Sequence, residues 1–321
     1  MNINRISQME LDDLGHHKIN TVIVSSGYES RARYVAEQLH QIKRKSASRM
    51  VAWGFVENSN EHVRKKNDQI LNSLGYKFEQ VSGKSTGGIE ENFKKELLKI
   101  RGKKTRIVID MTSMTRAWYG AIVRTLAHES RDGTIITDFI YVPAKWTGMP
   151  SEYPPNEILS PVKGFSSRAL PNKPTALIIG LGYDQERAIG LNAHLDPNKT
   201  LLFYAKPGVD KRFESEVLKA NRDLLKLIPR ANIFTYSISD CVATFKNLES
   251  VVGGLLRGWR PVLCSTGPKL FSLMCFLLAS YYKDISVWRV SAGSKELPVD
   301  HKPGGKPVVF EVEWGRTMKR G

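Results

Sequence analysis

The stretch TVIVSSGYESRAR, Thr21–Arg33, returns later in the chain as TALIIGLGYDQERA, Thr175–Ala188. Each copy is an apolar run that breaks at Gly-Tyr-acid and continues through Arg-Ala into a helix-like segment. Each has a second partner downstream: IVIDMTSMTR, Ile107–Arg116, and PVLCSTGPK, Pro261–Lys269. The two spacings nearly match, 89 positions from Gly27 to Arg116 and 87 from Gly182 to Lys269. A period this long is no solenoid repeat. It predicts two copies of one domain, with polar loops at the same two places in each.

The segments between these motifs alternate strand-like and helix-like patterns. The first half predicts strands at 21–25, 50–56, 76–81, 106–110 and 138–142, with helices at 31–45, 61–74, 88–100 and 115–129. The second half predicts strands at 176–180, 200–204, 233–236, 261–264 and 285–290. Its helices fall at 185–194, 212–227, 242–256 and 270–282, and a last alternating strand covers 306–314. Strands alternating with helices give a parallel sheet with right-handed crossovers. Unbroken apolar strands such as VIV and ALII suit a sheet covered on both faces. The expected fold is therefore α/β, two tandem Rossmann-like domains with mainly parallel sheets related by a pseudo-two-fold axis. The segment 150–174 holds six of the chain's 15 prolines and reads as the linker. The expected domains are 1–165 and 170–321.

Composition narrows the partners. With 48 Lys+Arg against 32 Asp+Glu, the 321-residue chain carries a net charge of +16, and the excess is divided evenly between the halves. An evenly basic chain attracts phosphates, whether on small ligands or on nucleic acid. Three cysteines without a paired spacing give no zinc motif and suit a reducing cytoplasm. The polar N-terminus reads as an arm without a signal sequence, and the apolar run 270–282 is too short to span a bilayer. No metal, cofactor or membrane association is expected.

In open α/β sheets ligands bind at the carboxyl ends of the strands, where strand order reverses. The repeated motifs fall at such ends. In the first, Gly27 permits a sharp turn, Tyr28 offers a stacking ring and Arg31 a phosphate contact; Gly182, Tyr183 and Arg187 correspond in the second. The acids Glu29 and Asp184 read equally as helix caps. The fourth-strand loops place Thr112, Ser113, Thr115 and Arg116, and Ser265, Thr266, Gly267 and Lys269, at the start of a helix, where free N–H groups favour an anion. N-capping by the same hydroxyls is the competing reading. Asp110, Ser113 and Thr266 are the weak candidates for catalysis. Trp146 lies where it could stack on a base. Arg64-Lys65-Lys66 and Lys103-Lys104 read as solvated charges, able to follow a nucleic-acid backbone only if they face one way. No G-x-G-x-x-G is present, so a dinucleotide fingerprint is not supported.

The Ser265-Thr266-Gly267-Pro268-Lys269 loop resembles the Thr/Asn-Gly-Gly-Thr-Lys loop of CARF domains, Rossmann-like sensors of cyclic oligonucleotides in prokaryotic defence. The Gly-Tyr-acid loop stands where that family places ligand contacts, and two fused units are similar to a SAVED domain. The loop Thr112–Arg116 lacks the glycine pair, and one extra residue precedes Arg187. The resemblance implies a cytoplasmic sensor or adaptor for a nucleotide or oligonucleotide second messenger, acting in anti-phage defence through a separate effector protein. Two alternatives are a metal-independent phosphodiesterase of the ring-nuclease kind and a nucleic-acid-binding component of a defence complex.

Overall fold

The computed structural model describes residues 1–42, 47–57, 59–83, 86–100, 102–129, 132–149, 153–169, 172–293 and 299–315. It divides into two compact units: Met1–Lys145 with Pro298–Gly321, and Trp146–Leu297. Each is α/β and built on a mostly parallel sheet, as the alternation predicts.

In the first unit, β2 (Thr21–Ser26), α1 (Tyr34–Ile42), β3 (Arg49–Phe55), α2 (His62–Ser73), β4 (Lys77–Val81), α3 (Thr86–Lys99), β5 (Lys104–Asp110), α4 (Arg116–Ala127) and β6 (Thr134–Tyr141) alternate along the chain. Two further strands complete the sheet, β1 (Asn2–Met9) and β13 (Val308–Gly315), in the order β1-β13-β6-β5-β2-β3-β4. Pairing is parallel from β6 to β4, and antiparallel between β6 and β13 and between β13 and β1. β2 is buried along its whole length, so its Val22, Ile23 and Val24 each contribute roughly 1.5–3 kcal/mol of transfer free energy.

The second unit holds β7 (Ile158–Pro161), β8 (Thr175–Gly180), α5 (Arg187–Leu195), β9 (Lys199–Ala205), α6 (Lys211–Ala220), α7 (Arg222–Leu227), β10 (Ile233–Tyr236), α8 (Cys241–Leu255), β11 (Arg260–Ser265), α9 (Lys269–Tyr281) and β12 (Ser286–Ser291). Its order is β10-β9-β8-β11-β12-β7, parallel except for the edge strand β7. Counted from the first parallel strand, both sheets run 3-2-1-4-5. The reversal of strand order therefore falls between β2 and β5 in one unit and between β8 and β11 in the other. The loops quoted above follow these strands.

The structure corrects the domain boundaries. The strand at 306–314, expected to close the second domain, pairs with β1 and β6 of the first unit, and the second unit is inserted between β6 and β13. The apolar alternation of VVFEVEWG states that a strand exists but not which sheet receives it. Polar groups make that choice. Arg106 of β5 donates to Asp138 of β6 at 2.8 and 2.9 Å and to Glu311 of β13 at 2.8 Å; Arg5 of β1 also donates to Glu311, at 2.9 Å. The indole N–H of Trp314 donates to Thr137. The N-terminal residues read as a polar arm form β1, because Ile3, Ile6 and Met9 pair in register with Trp314, Val312 and Val309. The Pro-rich segment 150–174 is likewise more than a linker: it supplies β7. Helix 212–227 is broken into α6 and α7 at Asn221. The 31–45 helix begins as a tight helical turn at Ser30–Arg33 and continues as α1, and its predicted end lies outside the described residues.

The buried charges have a pH consequence. Burial, opposed by Arg106, pushes Asp138 up to about 7. Burial also opposes ionisation of Glu311, but the Ser7 hydroxyl and the guanidiniums of Arg106 and Arg5 outweigh it and hold Glu311 below its usual range. For Asp138 the folded state binds the proton more tightly than the unfolded chain does. Folding takes up a proton between the usual carboxylate range and about pH 7, so this group's contribution to stability falls as pH rises through that window. Urea unfolding at several pH values should show this slope in wild type, and Asp138→Asn should remove it. An identical pH profile in the two proteins would refute the assignment.

Candidate switch-point site

In both units the first-strand loop is held by a buried asparagine from beyond the second strand. Asn67 of α2 donates through its amide to the carbonyls of Gly27 and Glu29, both at 2.9 Å. Asn221, at the α6–α7 junction, donates to the carbonyl of Gly182 at 2.7 Å and to that of Val217 at 2.8 Å. The asparagines follow their glycines by 40 and 39 positions. They are a third register of the repeat that the sequence reading missed, and the matching spacing was the signal available to find it.

The acid of each motif pairs with the arginine that follows it. Glu29 meets Arg31 at 2.7 Å, and Asp184 meets Arg187 at 2.8 Å. Glu29 makes no side-chain cap, and the residue before α5 is Glu186, in the left-handed region at φ 61°. Glu29 therefore does not cap its helix as the sequence suggested, and Asp184 stands two positions before the N-cap of α5. Arg31 is buried, and its guanidinium also donates to the carbonyl of Val142. Its predicted phosphate contact meets a group already spent inside the fold. The neighbouring Ser30 gives its N–H and hydroxyl to Asp300 at 2.5 and 2.7 Å.

The fourth-strand loop of the first unit is similarly committed. Asp110 is buried and accepts the N–H of Thr112, while the Thr112 hydroxyl accepts the N–H of Val142. Thr115 caps α4 by accepting the N–H of Trp118, which realises the capping alternative. The Ser113 hydroxyl donates to Glu29 at 3.3 Å, so the first and fourth loops are joined by a hydroxyl and a carboxylate. Arg116 opens α4, half-buried, as does Tyr28 in its own loop. An aspartate so enclosed, one atom of it holding a backbone N–H, is poorly placed to take a proton from a substrate.

The second unit joins its loops differently, through main chain. The Thr266 hydroxyl accepts the N–H of Gly182 at 2.9 Å and donates to the carbonyl of Gly180 at 3.1 Å. The N–H groups of Thr266 and Gly267 also bond that carbonyl. A Cβ on Gly182 would stand 2.1 Å from the carbonyl oxygen of Thr266, and one on Gly267 would stand 2.3 Å from that of Leu181. Both glycines are there because two backbones touch. Gly27 is under no such demand, since a Cβ there would meet Phe55 and Ser113 at 3.6 Å. Thr266 is thus a brace, and Ser265, buried, directs its hydroxyl to the carbonyl of Pro268 at 3.5 Å. Lys269 then opens α9, whose N-cap residue, Pro268, makes no side-chain cap.

Beside this brace stands an aromatic group. Tyr183 stacks on Phe213 of α6, with centroids 5.8 Å apart and planes at 27°; Trp146 meets Phe213 edge-on at 4.9 Å and 83°. Arg212 lies over the Trp146 ring at 5.6 Å and pairs with Asp210. All three rings are half-buried. Sequence reading named Trp146 and Tyr183 separately but missed Phe213, which connects them, because nothing in a linear pattern brings residues 146, 183 and 213 together.

No protein-family model and no curated protein matches the chain. Among solved structures it is similar to the cytoplasmic domain of a prokaryotic cation chloride cotransporter, at 9% identity and a TM-score of 0.24, covering 87% of this chain and 98% of that one. It is also similar to a T. thermophilus 16S rRNA methyltransferase solved with AdoMet and guanosine, at 7% identity and a TM-score of 0.22, covering 97% and 98%. Scores this low carry no argument about the site.

Among the described residues, no group of three or more His, Cys, Asp or Glu side chains could hold a metal ion. Among them, too, no helix is long and apolar enough to cross a membrane. The three cysteines are buried thiols outside any disulfide, and burial pushes Cys241 up to about 12, far from a reactive thiolate. The basic runs do not share a face. Lys65 and Lys66 lie in the first turn of α2, at the carboxyl end of the parallel strands, whereas Lys103 and Lys104 lie at the other end, where β5 begins.

Proposed function

We propose that this protein is a receptor for a phosphorylated nucleotide, bound at the switch point of the second unit, and that it passes the signal to a separate effector protein. One observation carries the reading. In the second unit the first- and fourth-strand loops are locked main chain to main chain at Gly182 and Gly267, at the start of α9 and beside Lys269. A rigid backbone edge at a helix N-terminus with an adjacent cation suits a phosphate. The basic excess supports it: by structural unit, Lys+Arg exceed Asp+Glu by 29 to 19 in the first and by 19 to 13 in the second. The resemblance to CARF and SAVED sensors makes cyclic oligonucleotides the leading candidates and anti-phage defence the setting. The buried Asp110 and the internally bonded Thr266 favour sensing over cleavage.

Calorimetry against mononucleotides, cyclic dinucleotides and cyclic oligoadenylates tests the reading. At least one class should bind, and Lys269→Ala should weaken it about tenfold or more, the loss of one charge-assisted contact. Binding that Lys269→Ala leaves untouched would move the site elsewhere, and an absence of binding across the set would end the receptor reading.

A further inference from the structure

We propose that Trp146, Phe213 and Tyr183 form a corner on which the base of the ligand stacks, a purine in preference to a pyrimidine, so that the second unit reads base and phosphate at two adjoining places. The proposal rests on the receptor reading above and adds a base-recognition site to it.

The rings come from three separate parts of the chain: the segment entering the second unit, the loop after β8 and the first turn of α6. All three stay half-buried, Tyr183 where it packs against the unit's apolar core of Leu177, Ile179, Leu202 and Cys264. Tyr183 and Phe213 stack with nearly parallel planes, and Trp146 stands upright against Phe213. Two walls at right angles offer a planar heterocycle a stacking face and an edge contact at once, both favoured aromatic arrangements. The larger purine covers more of such a corner than a pyrimidine does. Arg212, paired with Asp210, lies over Trp146 and is itself exposed, a placement that adds cation–π attraction beside the base.

The corner is tied to the phosphate end through a single residue. Tyr183 follows Gly182, whose N–H is held by Thr266 and whose carbonyl is held by Asn221. The backbone that carries the ring is therefore fixed to the loop that opens α9. A ligand spanning the two places needs both a base and a phosphate, which is the chemistry of a nucleotide and not of a sugar phosphate or an inorganic anion.

The test titrates the full-length protein with adenosine, guanosine, cytidine and uridine diphosphates and with inorganic pyrophosphate, followed by calorimetry and tryptophan fluorescence. Wild type should bind the purine diphosphates most tightly, with quenching of fluorescence that is lost in Trp146→Phe. Trp146→Leu and Phe213→Leu should each weaken the purine diphosphates about tenfold or more and leave pyrophosphate unchanged. Lys269→Ala should weaken all of them. Trp146→Phe, which keeps a ring, should retain most of the affinity, and its thermal midpoint serves as the folding control. Unchanged purine binding in both leucine variants with normal midpoints would overturn the corner. So would equal wild-type affinity for pyrophosphate and for all four nucleotides, although the phosphate site would then stand. If none of these compounds bound while a cyclic oligonucleotide did, the corner would fall and the receptor reading would stand; if nothing in either set bound, the receptor reading would fall first and the corner with it.

Discussion

Arg106→Met should cost about 3–5 kcal/mol of stability, the loss typical of removing one partner from a buried ion pair. The reason lies in what remains. Arg106 is the cation shared by Asp138 and Glu311, and the three side chains are 9%, 0% and 3% exposed. Methionine keeps the aliphatic volume but leaves two carboxylates facing each other in an apolar sheet, with Arg5 on only one of them. One carboxylate must then take up a proton or the strands must part. Because β13 is the strand by which the chain returns to the first unit, the loss should appear as a lowered urea midpoint together with earlier proteolysis near 306–315. A triple replacement, Arg106→Met with Asp138→Leu and Glu311→Leu, should recover most of the loss, since well-packed apolar groups can replace a buried ion cluster at little net cost. If the single variant unfolds at the wild-type midpoint, the cluster does not hold β13.

Gly182→Ala is expected to destabilise the second unit by about 3 kcal/mol or more, the upper range for forcing atoms into a packed site. The obstacle is the carbonyl oxygen of Thr266, 2.1 Å from the new Cβ, and its carbon at 2.6 Å. A long side chain could swing aside. Main chain cannot move without breaking the hydrogen bonds from Thr266 and Gly267 to Gly180. Gly267→Ala should act alike, through the oxygen of Leu181. Gly27→Ala is the control, and should change the urea midpoint by little because its neighbours lie at ordinary contact distance. Equal effects at Gly27 and Gly182 would show that the two loops are not the different constructions described above. Nucleotide affinity measured on whatever Gly182→Ala protein folds should fall as well, because the loop carrying Tyr183 is displaced.

These expectations show why part of the site was legible in the sequence. The repeated Gly-Tyr-acid motif located the loops correctly, since a glycine after an apolar run marks a strand end whatever its partners. The role of each residue was not legible. Arg31 and Arg187 look like phosphate ligands in a linear motif, yet each faces the acid two or three positions before it. Thr115 and Thr266 look like equivalent hydroxyls; one caps its own helix and the other braces a loop 84 positions away. Asn67, Asn221 and Phe213 carried no motif at all.

Taken by itself, the sequence determined what is local or periodic: the α/β class, the strands after which the loops fall, the buried helix Lys269–Tyr281, and the duplication. These follow from apolar patterning and chain stiffness, which act over a few residues. The tertiary structure decided everything that depends on long-range pairing. It assigned β1 and β13 to the first sheet, closed the first unit's loops with Asp300 and Glu29, and assembled Trp146, Tyr183 and Phe213 into one corner. Apolar alternation gives a strand a buried face without naming its neighbour. Buried charges do name it, because Arg106 has low-energy positions only where two carboxylates from other strands arrive to meet it.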